Sequence, residues 1–207
     1  MLESALSLGL VLGLRHASDA DHVCAIASLL RSGQGFRSAV RTALLWSLGH
    51  SFAFFAVGAV LVGGRLSVPG AWEPVMELFV AALLVTLGTV QWGHADCPLP
   101  SEPEPVRPHS WRVLLVGIVH GLAGSAGIAL LALATVHERL PALLFLLSFG
   151  LGVSGGMVLL TVLLSLPLGF VVRNSERWRA RILKATSALG IGLGVWMGLS
   201  GLRALVG

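Results

Sequence analysis

Apolar runs long enough to cross a bilayer recur along this chain, separated by short basic or proline-rich stretches. Six stand out: residues 2–30, 39–63, 71–93, 111–136, 140–172 and 182–206. Each reaches the roughly 20 residues a helix needs to cross the hydrocarbon core. The pattern predicts an all-α integral membrane protein of about six transmembrane helices, forming one domain over residues 1–207. The first run is a continuous span only if the polar stretch 15–22 lies within it. The fifth has Pro141 near its start and Pro167 near its end, long enough to be kinked or partly interfacial.

Composition agrees with this reading. Of 207 residues, 55% are hydrophobic and 12% charged, against roughly a quarter charged in a soluble domain. The net charge of +4 does not point to nucleic acid, because the basic residues sit between apolar runs as juxtamembrane anchors do. Arg31, Arg37, Arg41, Arg107, Arg112, Arg173, Arg177, Arg179, Arg181 and Lys184 fall on one side of the six-span arrangement. Only Arg65, Arg139 and Arg203 fall on the other. The positive-inside rule puts both termini outside, in a multi-pass protein of the inner (plasma) membrane. The N-terminus lacks the basic n-region of a cleaved signal peptide. Cys24 and Cys97, one in a span and one in a loop, make no disulfide framework.

The chemistry concentrates in Arg15-His16-Ala17-Ser18-Asp19-Ala20-Asp21-His22, where five ionisable side chains occupy eight residues. Such groups are costly in lipid and usually face a partner or a polar path. On a regular helix His16, Asp19 and His22 step by about −60° each and share one face about 120° wide. Two imidazoles and a carboxylate form a sound ligand set for a divalent transition metal. Asp21 falls nearly opposite Asp19 on such a helix, where it is expected to orient an imidazole such as His50 from outside the coordination sphere. Arg15 and Asp19, four residues apart, could instead neutralise one another.

Two further runs carry mid-span histidines: Gly49-His50-Ser51 in the second and His120-Gly121-Leu122-Ala123-Gly124-Ser125 in the fourth. Histidine on three spans of six suggests convergence on one site. The expected metal ligands are His16, Asp19, His22 and His50, with Asp21, Ser51, His120 and Ser125 on the pathway or around it. The loop 94–110 is proline-rich; its His94, Asp96 and Cys97 could take a metal or simply stay solvated.

A faint internal repeat pairs Gly13-Leu14-Arg15-His16 with Gly117-Ile118-Val119-His120, and Ser47-Leu48-Gly49 with Ser148-Phe149-Gly150. It divides the chain into units 1–93 and 111–207 joined by the linker 94–110, a 3+3 arrangement whose odd span number inverts the second unit. Glycines repeat every fourth residue at Gly9/Gly13, Gly117/Gly121, Gly152/Gly156 and Gly190/Gly194/Gly198. That spacing permits close helix packing in lipid or marks unwound points.

The stretch 15–22 resembles the HxxxxDH signature of the nickel/cobalt transporter family, with His16, Asp21 and His22 on its defined positions. Leu48-Gly49-His50-Ser51 is similar to that family's second signature. The segment 120–125 looks like its short, UreH-like branch, associated with urease accessory genes. The larger members carry a span ahead of the signature helix, which is absent here. Their later signatures are acidic, whereas spans four to six of this chain hold no such cluster. The resemblance implies uptake of Ni²⁺ or Co²⁺ as cargo, Zn²⁺ being admissible on the donor set, with no tightly bound cofactor and no enzymatic reaction. The partners expected are the bilayer, the divalent ion and, optionally, a second copy of the chain. The competing reading is a membrane redox carrier, using intramembrane histidine for haem or cysteine for thiol exchange. A metalloenzyme ranks last, since no HExxH or similar pattern occurs.

Overall fold

The computed structural model describes residues 2–29, 36–64, 70–97, 110–123 and 139–207. Among these the chain is all-helical: α1 (Leu2–Ala17), α2 (Ala20–Leu29), α3 (Phe36–Gly64), α4 (Trp72–His94), α5 (Ser110–Gly121), α6 (Arg139–Asn174) and α7 (Glu176–Val206). Among the described residues, four stretches are long and apolar enough to cross a membrane, at Phe36–Val60, Trp72–His94, Leu140–Ser165 and Glu176–Val206. They coincide with the second, third, fifth and sixth apolar runs.

The surface is that of a membrane protein. Leu48, Phe52, Val60, Leu151, Leu189 and Trp196 are all more than half exposed, and a water-soluble monomer rarely leaves so many large apolar side chains bare. Where charge returns, it is anchored: Arg112 stacks on Trp111 and Arg181 on Trp178, pairs that suit the interface between lipid and water. Ser175 starts α7 by accepting a hydrogen bond from the Trp178 amide at 3.5 Å, with Glu176 in the positive first turn.

The first span departs from the expected continuous helix. The chain leaves helical geometry at Ser18-Asp19, between α1 and α2. Ser18 Oγ donates to the Arg15 carbonyl at 2.6 Å, and the Ser18 amide donates to the same oxygen at 3.0 Å. The Asp19 amide bonds the His16 carbonyl at 3.1 Å. Serine and aspartate compete locally for backbone partners in this way, which ends helices. The 16 residues of α1 extend only about 24 Å and the 12 of α5 about 18 Å, so neither crosses ~30 Å alone. The fourth apolar run is thus helical up to Gly121; its remainder beyond 123 lies outside the described residues. The fifth, by contrast, is helical throughout α6.

Helix pairing follows the glycines. A Cβ on Gly13 would run into the Phe149 carbonyl, and one on Gly152 into that of Leu10. Backbone contact of this closeness needs a residue without a side chain. Contacts between α1 and α6 rise together in number, from Gly9 against Phe145 and Ser148 to Gly156 against Leu14 and Ala17, so these helices run parallel. The α3–α5 pair is also parallel: Trp46 meets Gly117, and His50 meets Gly117 and Gly121. The α4–α7 pair is antiparallel, with Gly88 against Ser187 and Ile191 but Gly201 against Pro74 and Leu78.

The two parallel pairs use the same contacts. Gly13 approaches the carbonyl of Phe149 and the amide of Val153, just as Gly117 approaches those of Trp46 and His50. Gly152 meets Leu10 and Leu14 as Gly49 meets Leu114 and Ile118. This equivalence matches Gly49 with Gly152, two residues beyond the Gly150 suggested by the Ser-x-Gly pattern.

Polar contacts between helices lock the frame. Gln91 Oε1 on α4 accepts from Ser28 of α2 and Ser187 of α7, each at 3.1 Å. Its Nε2 donates to the Ala27 carbonyl at 3.1 Å. At the α4–α7 end, Lys184 pairs with Asp96 at 2.8 Å and buried Arg179 donates to the Cys97 carbonyl.

Candidate metal centre

Four histidines converge on the centre of the molecule. His16 closes α1, His22 opens α2, His50 lies mid-α3 and His120 closes α5. All are buried, at 7%, 0%, 2% and 0% exposure respectively. Their ring centroids stand 4.5 Å apart for His16–His22, 5.1 Å for His22–His50, 5.5 Å for His16–His50 and 4.6 Å for His22–His120. Phe149 stacks on His16 at one end, and Trp46 packs against His22 and His120 at the other.

The break after Ala17 gives the two aspartates different places from those of a regular helix. Asp19 stays beside His16, accepting from its Nδ1 at 2.9 Å, but its side chain is 47% exposed. Asp21 turns into the cluster: it is 14% exposed and accepts from His22 Nδ1 and His120 Nε2, each at 3.1 Å. The imidazoles it orients are therefore those of His22 and His120 rather than His50. Only an unbroken helix sets Asp21 opposite Asp19, and the turn at Ser18-Asp19 removes that condition.

Among the described residues, two overlapping groups have ligand atoms within 4.8 Å of one another: His16, His22 and His50, and Asp21, His22 and His120. His22 Nε2, His50 Nδ1 and His120 Nδ1 are buried without hydrogen-bond partners among the described residues. Unpaired buried nitrogens are costly and call for an explanation; an incoming cation would satisfy them. Imidazole and carboxylate suit first-row divalent ions.

The remaining candidates lie around this centre. Ser51 braces α3 on α6, its Oγ donating to the Gly150 carbonyl at 3.2 Å and lying 3.1 Å from Ser154 Oγ. Ser125 lies outside the described residues. In the loop, Asp96 is held by Lys184, and His94 Nδ1 donates to the Val90 carbonyl at 2.7 Å. Trp46, Phe149 and Gln91 stand outside the ligand set expected from sequence. A tryptophan in a span reads as ordinary core or interface material, whereas Gln91, an amide in an apolar run, was a usable signal. Neither redox device is favoured by this geometry. The imidazoles pack against one another, and Cys24 and Cys97 are both free thiols.

Long apolar helices around a buried imidazole–carboxylate cluster define a helical membrane protein with a candidate cation site. The chain is 29% identical over 186 residues to the urease accessory protein UreH of Bacillus sp. (strain TB-90), covering 84% of this chain and 81% of that protein. The chain is thus similar to UreH along most of its length. No family model matches the chain, and no solved structure matches it.

Proposed function

We propose that this protein moves a divalent transition-metal ion, Ni²⁺ or Co²⁺, across the inner membrane into the cell. The observation that carries the reading is the buried group His16, His22 and His50, three imidazoles with ligand atoms within 4.8 Å. A hydrated ion exchanges water for these nitrogens, while Asp19 holds His16 in its binding orientation and adds negative charge at the half-exposed rim. Affinity alone does not select nickel, since Cu²⁺ and Zn²⁺ bind N/O ligands at least comparably; the motif resemblance narrows the cargo. Two charges moving inward down a 100 mV potential release about 4.6 kcal/mol, enough to drive accumulation without nucleotide hydrolysis.

Six spans arranged as two inverted units, 1–93 and 111–207, accommodate this role. The matching contacts of the α1–α6 and α3–α5 pairs support the arrangement, as do the positions of His16 and His120 at the ends of short helices. In that scheme both termini face outside, and the negative C-terminal ends of α1 and α5 point at the cation, as broken helices do in other transporters.

The test is uptake of radioactive nickel and cobalt by cells expressing wild type, His16→Gln, His22→Gln and His50→Gln at equal membrane levels. Each variant is expected to lose at least about 10-fold in uptake. Wild-type uptake by all three would overturn the proposal.

A further inference from the structure

Building on the transport reading, we infer a second metal position formed by Asp21, His22 and His120, to which His22 hands the ion from the His16/His22/His50 position. The two ligand groups share one residue, His22. Its ring is flanked by His16 at 4.5 Å and His120 at 4.6 Å between centroids. The rings form a file from Phe149 through His16, His22 and His120 to Trp46. Because the positions share a ligand and two cations this close repel, one ion occupies either, never both.

The tautomers account for the order of events. A carboxylate only accepts hydrogen bonds, so the nitrogens facing Asp21, His22 Nδ1 and His120 Nε2, carry protons when no ion is there. That leaves the lone pair of His22 on Nε2, which is buried and unpartnered, available to an ion held with His16 and His50. Transfer requires the His22 proton to move from Nδ1 to Nε2 and the His120 proton from Nε2 to Nδ1, the latter also buried and unpartnered. Both rings stay neutral, and no net proton is gained or lost. Asp21 exchanges two N–H donors for the ion. Its carboxylate makes the second position the more anionic of the two, which favours the forward step. Trp46, buried against His22 and His120, closes the far end of the file.

The experiment loads purified full-length chain with Ni²⁺ alone, measures stoichiometry and reads the imidazole count by X-ray absorption, alongside nickel uptake in cells. Wild type, His50→Gln and His120→Gln are each expected to bind one ion. His50→Gln should show two imidazoles and a carboxylate, and His120→Gln three imidazoles. Both should lose uptake by about 10-fold or more, each lacking one position. His22→Gln, lacking both, should bind none. His120→Cys, which supplies a ligand without the imidazole donor, should recover uptake that His120→Gln lacks; the reverse order marks His120 as a mere hydrogen-bond donor and overturns the proposal. Loss of all binding in His50→Gln, equal imidazole counts in the two variants, or wild-type uptake by His120→Gln also overturns it while leaving the first position standing. Normal binding and uptake by His16→Gln and His22→Gln would instead remove the transport reading itself.

Discussion

Asp21 accepts a hydrogen bond from His120 Nε2 at 3.1 Å, across 99 residues of sequence. The contact ties the start of α2 to the end of α5 and makes this carboxylate the central acid of the cluster. Asp19, two residues earlier, touches only the edge of it through His16.

The two aspartates should therefore differ in consequence. Asp21→Asn removes an acceptor from two buried imidazoles, and its amide can satisfy them only in part; uptake should fall by more than about 100-fold. Asp19→Asn keeps a hydrogen-bond partner for His16 at a half-exposed position, and the loss should stay within the 10–100-fold typical of a residue that orients a ligand. Nickel titration and uptake side by side check the order, and equal losses would count against the assignment.

Close backbone contact makes the α1–α6 pair sensitive to volume. Gly13→Ala drives a methyl into the Phe149 carbonyl and the Val153 amide, neither of which can swing away. Over-packing of this kind costs about 1–3 kcal/mol. The melting temperature in detergent, followed by size-exclusion fluorescence, should drop clearly. Gly155→Ala, where a Cβ meets nothing within 4 Å, is the control and should leave it unchanged.

The Gln91 node holds α2, and with it His22 and Asp21, against α4 and α7. Gln91→Leu preserves bulk but strands the hydroxyls of Ser28 and buried Ser187, at about 1–3 kcal/mol for each group left unpaired in the interior. Faster amide exchange in α2, with α4 and α7 retained, is the expected signature.

Orientation is testable on α7. Its 31 residues extend about 46 Å, so its two ends emerge on opposite faces of a bilayer. In a chain freed of Cys24 and Cys97, a cysteine at Gly207 should react with an impermeant reagent from outside. A cysteine at Ser175 should react only after permeabilisation. The opposite pattern would invert the charge-derived topology.

What the sequence determined by itself was whatever depends on local composition. Apolar runs 39–63, 71–93, 140–172 and 182–206 became helices because a backbone in lipid has no other partner for its amides and carbonyls. The density of His and Asp in 15–22, and the lone histidines at 50 and 120, marked the centre for the same reason: nothing polar is left in hydrocarbon without a use.

The tertiary structure decided which of those side chains meet. The assignment of Asp19 and Asp21 rested on an unbroken helix, and two hydrogen bonds to the Arg15 carbonyl end that helix at Ser18. Once the rotation per residue is interrupted, facing is set by what α2 packs against, and that is α4 and α7 through Gln91. The equivalence of Gly49 and Gly152 in their two helix pairs was hidden for a like reason, because helix register is chosen by backbone fit along a whole interface. Sequence announced a cluster of His and Asp among apolar runs; only the tertiary packing placed Asp21 inside it and Asp19 at its rim.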